Sequence, residues 1–109
     1  MKRGEIWTVS GGESYAGKPR PVVIVQDDRF DTTASVTFCP FTTNQADAPL
    51  FRIEIAPSPR NGLKAPSRLM VEKLMSVPKT KLGRRIGQLD DADLARLGEA
   101  IMIFLGLDR

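Results

Sequence analysis

Two prolines flank an arginine at the head of a continuous apolar run, Lys18-Pro19-Arg20-Pro21-Val22-Val23-Ile24-Val25-Gln26. The run is rich in β-branched residues and bounded by turn residues, which predicts a buried central strand. A proline fixes its own φ and pushes the preceding residue towards extended geometry, so Arg20 between Pro19 and Pro21 has little backbone freedom. Its guanidinium is aimed before any ligand arrives. An arginine at a strand start can also simply form a surface ion pair, so its meaning depends on the rest of the chain.

The residues that are missing narrow the chemistry. The chain has 109 residues, no histidine and one cysteine, Cys39. That composition excludes the usual zinc sites, the Ser-His-Asp and Cys-His nucleophile arrangements, and the paired-histidine route to RNA hydrolysis. No metal and no cofactor is expected. Cys39 lies in the apolar segment Val36-Thr37-Phe38-Cys39-Pro40-Phe41 and is expected to be a buried, inert thiol, since no imidazole exists to activate it. The length fits one domain over residues 1–109. No apolar run is long enough to span a bilayer and no secretory signal is apparent, so a cytoplasmic protein is expected, without a membrane partner.

The net charge of +3 is unevenly spread. Residues 58–85 carry eight bases (Arg60, Lys64, Arg68, Lys73, Lys79, Lys81, Arg84 and Arg85) against one acid, Glu72, a local charge of +7, while the remainder is −4. A basic block of this kind points to a polyanion, nucleic acid being the commonest. A solvated basic face is the alternative.

The hydrophobic pattern predicts a mainly β chain with one helix. Residues 2–9 alternate enough for a half-buried strand, with Ile6 in the core and Trp7 in packing rather than base stacking. Residues 10–18, with three glycines, predict a mobile loop leading to Arg20. After the strand at 20–26 come a polar break at 27–31, a strand at 35–41, a turn at 44–49 and an alternating strand at 50–55. Asn61-Gly62 is the strongest turn signal, because Asn-Gly readily takes positive φ. Residues 67–77 and 82–89 predict two more strands around a break at 78–81. Asp90 and Asp91 then precede Leu94, Leu97, Ile101 and Phe104 at helical spacing, predicting a helix over 91–105 with Gly106 as its stop. Gly98 in its interior costs about 1 kcal/mol relative to alanine and suits a close neighbour. Met102, Ile103 and Leu105 widen the apolar surface towards a partner subunit.

Several stretches together resemble one family. The opening Lys2-Arg3-Gly4-Glu5-Ile6-Trp7, the segment Lys18-Pro19-Arg20-Pro21-Val22-Val23-Ile24, the strand end Pro40-Phe41-Thr42-Thr43, the step Val71-Glu72-Lys73 and the lead Gln88-Leu89 into a last helix look like the MazF/PemK toxins. These are ribosome-independent mRNA endoribonucleases of type II toxin–antitoxin modules. The resemblance runs in order over nearly the whole chain. It implies an SH3-like small β-barrel of the CcdB/MazF plasmid-maintenance-toxin type with a C-terminal helix, a homodimer, and a cognate MazE-like antitoxin. It also implies metal-independent cleavage of single-stranded RNA, with 2′,3′-cyclic phosphate and 5′-hydroxyl products.

Carried over by motif, the resemblance places catalytic parts on Arg20 and Thr42 and a further part on Glu72, as base-edge acceptor, orienter of Arg20 or general base. RNA contacts are expected from Lys18, Thr43, Lys73, Ser76 and Lys79. The residue chemistry agrees for the first pair: a guanidinium meets the equatorial oxygens of a phosphorane-like transition state with two parallel hydrogen bonds, and a threonine adds a hydroxyl donor. An arginine stays charged at pH 7 and is a poor base, so the proton acceptor is left open. The pattern departs at Lys73 and Met75, where relatives often carry Gln and then Arg or Lys, which bears on RNA specificity more than on catalysis. Two other readings remain at this point, a CcdB-like gyrase-binding toxin and a non-catalytic nucleic-acid-binding barrel. The chain end Leu107-Asp108-Arg109 lacks the Trp-Gly-Ile on which gyrase poisons rely.

Overall fold

The computed structural model describes residues 1–10, 18–44 and 51–109. The loop expected at 10–18 and the turn expected at 44–49 therefore fall largely outside the described residues, as does Leu50. Among the described residues seven strands are formed: β1 (Glu5–Val9), β2 (Arg20–Ile24), β3 (Ser35–Thr42), β4 (Arg52–Ile55), β5 (Ser67–Met70), β6 (Met75–Pro78) and β7 (Leu82–Gln88), followed by one α-helix, α1 (Asp91–Phe104). They make a single sheet in the order β4-β5-β3-β2-β1-β7, with β6 pairing to β3 off this path. All the strand pairs are antiparallel. This is the mainly β fold with a C-terminal helix that the pattern predicts, although among the described residues strand pairing does not close the ladder between β4 and β7.

The strand expected over 67–77 is in fact two. A short 3-10 turn, Val71–Lys73, separates β5 from β6. β6 pairs with the first half of β3 (Val36↔Val77, Phe38↔Met75) and β5 with its end (Phe41↔Leu69, Thr42↔Arg68). The two registers differ by three residues, the length of the turn. Pro40 sits in the gap between these two pairings, where a residue without an N–H costs the ladder nothing. No glycine or proline marks the break between Ser67 and Val77 in sequence.

Both faces of the sheet are buried at its centre. On one, Ile6, Val23, Cys39, Leu69 and Val71 pack against Leu89 and against Leu97 and Ala100 of α1. On the other, Val9, Val22, Ile24, Val36 and Phe38 form a second cluster, with Trp7, Val77 and Leu82 at its rim. Burial on both faces explains why β2 is continuously apolar rather than alternating. Each fully buried aliphatic side chain contributes about 1.5–3 kcal/mol.

The helix begins where expected. Asp90 is its N-cap by backbone geometry, but its carboxylate makes no capping hydrogen bond and instead lies 3.8 Å from Arg60. The helix stops at Gly106, whose φ of +73° turns the chain while its N–H donates to the Ile103 carbonyl. Gly98 meets the expected neighbour: a Cβ there would lie 3.2 Å from the Arg3 guanidinium. Phe104 is only half covered and contacts the Phe51 ring at 6.1 Å between centroids. Ile103, Leu105 and Leu107 remain half or more exposed.

Candidate active site

The site starts from strand register. β2 and β3 pair Val22 with Pro40 and Ile24 with Phe38, and the same register continued to the head of β2 sets Arg20 across from Thr42. Side chains alternate along a strand, so these two share a face. Both line one pocket of about 380 Å³. The turn after β5 brings Lys73 to the same pocket, and Pro40, Phe41, Met70 and Met75 complete its walls. Thr42 Oγ1 accepts the backbone N–H of Asn44 at 3.1 Å, which orients the hydroxyl and leaves its own proton to donate. The pocket therefore presents a guanidinium, an ammonium and a hydroxyl over an apolar floor.

Pro19, Pro21 and Thr43 face the opposite way. They line a second groove of about 900 Å³, floored by Leu63 and Ile86 and edged by Lys64, Arg84 and Arg85. Two further expected RNA contacts lie away from the pocket lining. Ser76 Oγ is 2.5 Å from Thr37 Oγ1 across the β3–β6 pair, and the Lys79 ammonium donates to the Asp31 carbonyl. Lys18 is exposed just before β2. The basic block is thus divided rather than gathered on one face, with Arg60 beside Asp90 and Asp91 at the helix start and Arg85 beside Glu5.

Glu72 does not line the pocket. Arg52 of β4 grips it: Nε lies 3.1 and 2.9 Å from the two carboxylate oxygens, and Nη2 lies 2.5 Å from Oε2. The pair is only 13% and 20% exposed. Burial alone would push the Glu72 carboxyl up, but the hydrogen bonds and charge of Arg52 outweigh it and hold the group below the usual carboxylate range. A carboxylate so engaged is a weak proton acceptor. Cys39 is fully buried and its thiol is pushed up to about 12, first by burial and then by the nearby Glu72 charge, which fits the inert thiol expected.

Sequence reasoning did not find Arg52, Met70 or the walling role of Met75. Arg52 and Glu72 are 20 residues apart with no local signal linking them, and the methionines look like ordinary core positions.

Comparisons with known proteins agree with this architecture. The family model for the PemK-like, MazF-like toxin of type II toxin–antitoxin systems matches residues 2–105. A probable endoribonuclease MazF from Mycolicibacterium smegmatis is 51% identical over 107 residues, covering 98% of each chain. Endoribonuclease EndoA of Bacillus subtilis is 31% identical, over 98% of this chain and 96% of its own. Among solved structures, an endoribonuclease in complex with its cognate antitoxin from a mycobacterial species shares the fold, with a TM-score of 0.78 at 23% identity over 98% of this chain and 96% of that one. With the match running almost from end to end, the chain belongs to the PemK-like, MazF-like toxins of type II toxin–antitoxin systems.

Proposed function

We propose that this toxin-family endoribonuclease cuts single-stranded mRNA without a metal ion, at the pocket shared by Arg20 and Thr42. The carrying observation is that Arg20 and Thr42 line one pocket, with no competing carboxylate among its described lining residues. The 2′-oxygen of the nucleotide before the cut attacks the phosphorus. The O2′–P bond forms, the P–O5′ bond breaks, the 2′ proton is lost, and the departing 5′-oxygen gains one. Products are a 2′,3′-cyclic phosphate and a 5′-hydroxyl. Arg20 meets the charge that builds on the non-bridging oxygens, and Thr42 donates to the same phosphoryl group. The chain has no histidine, and among the described residues no group of three or more His, Cys, Asp or Glu side chains could hold a metal ion, which supports the metal-free reading. Glu72, bound to Arg52, is better suited to fixing the turn that carries Lys73 than to taking a proton.

The half-exposed apolar end of the helix, Met102 to Leu105 with Leu107, supports a homodimer in which a second copy covers it. The cationic rim formed by Lys64, Arg84 and Arg85 suits the acidic tail of a cognate antitoxin. A toxin that acts on mRNA would work in the cytoplasm, which is the location we propose.

The decisive experiment incubates the purified protein with a long RNA in EDTA and maps the ends. Cleavage with 5′-hydroxyl ends, and no cutting of DNA, is expected. Strict dependence on added magnesium, or 5′-phosphate products, would refute the mechanism.

A further inference from the structure

We infer that the pocket beside Arg20 is also a base subsite, selective for a keto base, uracil or guanine, at a nucleotide adjoining the cut, with Lys73 as the specificity-determining donor. The inference rests on the RNA-cleaving reading above and adds to it the identity of the neighbouring base. Its first support is the imbalance of hydrogen-bonding groups. Lys73 and Arg20 carry donors only, Thr42 spends an acceptor site on the Asn44 N–H, and no Asp, Glu, Asn or Gln side chain is among the described lining residues.

A pocket built this way discriminates by edge chemistry. At the edge where the bases differ, uracil offers O4 and guanine offers O6 beside N7, so an ammonium placed there finds an acceptor on either base. Adenine and cytosine place an exocyclic amino group at the equivalent position, and donor would face donor. A mismatch of that kind leaves both groups stripped of water without a partner.

The second support is shape and surface. Pro40, Phe41 and Met70 are buried and form an apolar wall, while Met75 stands 43% exposed at the mouth. The exposed, polarisable thioether of Met75 is a surface against which a flat base can lie, with the buried residues behind it as support. At about 380 Å³ the pocket has room for one base with its sugar.

The third support is that the Lys73 charge is left available. Its sequence neighbour Glu72 is the natural partner, but Arg52 occupies both oxygens of that carboxylate. Among the described residues Lys73 makes no ion pair. The Arg52–Glu72 pair thus anchors the 3-10 turn outside the pocket lining; Lys73 acts on Glu72 only through its charge, without a direct ion pair, and its ammonium lines the pocket.

The test uses the purified full chain and a set of short RNAs around a mapped cleavage site, varied to U, G, A or C at each of the two nucleotides flanking the cut. Wild type should cut the keto-base substrates at least about tenfold faster at one of the two positions. Lys73→Met should flatten that preference. Lys73→Glu, which replaces a donor by an acceptor, should turn it towards adenine and cytosine, a reversal that a merely structural role would not produce. Thermal melting checks that each variant folds, and if Lys73→Glu does not, the flattening in Lys73→Met decides. Equal cutting of all four bases by wild type would overturn the inference. So would a uniform loss over all four bases in Lys73→Met with a weaker salt dependence, because Lys73 would then be a phosphate contact. Loss of all metal-free cutting by wild type would instead count against the proposed function itself.

Discussion

Arg52 reaches across from β4 to hold both carboxylate oxygens of Glu72 in the turn between β5 and β6. The interaction ties an outer strand of the sheet to the segment that delivers Lys73. Its pH dependence follows from the direction of the Glu72 shift. A carboxyl held below its ordinary range in the folded state contributes stability that is fully present above the unfolded value of about 4.3, and that is lost as pH falls through the folded value. Arg52→Ala should therefore move acid unfolding to higher pH and cost about 1–2 kcal/mol at neutral pH. Far-UV circular dichroism over an acid titration checks this, and superimposable curves for the variant and wild type would count against the clamp.

Arg20→Ala should abolish RNA cleavage with an unchanged melting temperature, because the side chain is exposed at the head of β2 and supports no core. Arg20→Lys should fail as well, since an ammonium cannot make two parallel contacts to one phosphoryl group. Thr42→Ala should lower the rate by roughly 10², the usual scale for one transition-state donor. Single-turnover rates on one RNA, beside melting curves, decide the matter, and near-normal cutting by Arg20→Ala would sink the assignment.

Gly62 has a φ of +70°, and a Cβ placed there would come within 2.2 Å of the Ile86 carbonyl oxygen. The loop over 60–62 thereby lies directly on β7. Gly62→Ala should destabilise by about 2 kcal/mol or more, through strain and through displacement of that strand. Gly106 has a similar φ of +73° with nothing within 4 Å, so Gly106→Ala isolates the conformational part and should cost about 1 kcal/mol. Urea unfolding of the two variants compares them directly; equal losses would mean that the contact with Ile86 is unimportant.

Cys39, with its thiol raised to about 12, should resist thiol reagents at pH 8 while the protein is folded and react at once in denaturant. A stoichiometric colour change on native protein within seconds would contradict its burial.

If a second copy covers the end of the helix, Leu105→Glu with Leu107→Glu should yield monomers at micromolar concentration while leaving the monomer fold intact. Sedimentation against wild type reads this out. An unchanged dimer would move the interface elsewhere on the surface.

Part of the fold is legible in the residues themselves. β2 can be placed because its prolines and β-branched residues act locally, and Asn61-Gly62 because only certain residues tolerate positive φ. The helix declares itself by periodicity. The break at Val71–Lys73 is hidden, because Leu69 to Met75 contains no turn former and the chain bends there to satisfy two pairings with β3. Glu72 illustrates the same limit. Its type and motif position fit a role at the pocket, but its partner comes from β4, and only tertiary packing brings Arg52 alongside.

The opposite facing of Arg20 and its two prolines has a consequence for how this chain tolerates insertions. β2 acts as a partition: the guanidinium opens on one side while Pro19 and Pro21 form part of the wall on the other. Because side chains alternate with a period of two, a single residue added between Pro21 and Val22 would turn this partition over relative to the rest of β2. Pro21 would then face the pocket that Arg20 lines, and the arginine would face the neighbouring groove. Adding two residues would restore the original facing, so parity rather than length sets what the strand head can absorb.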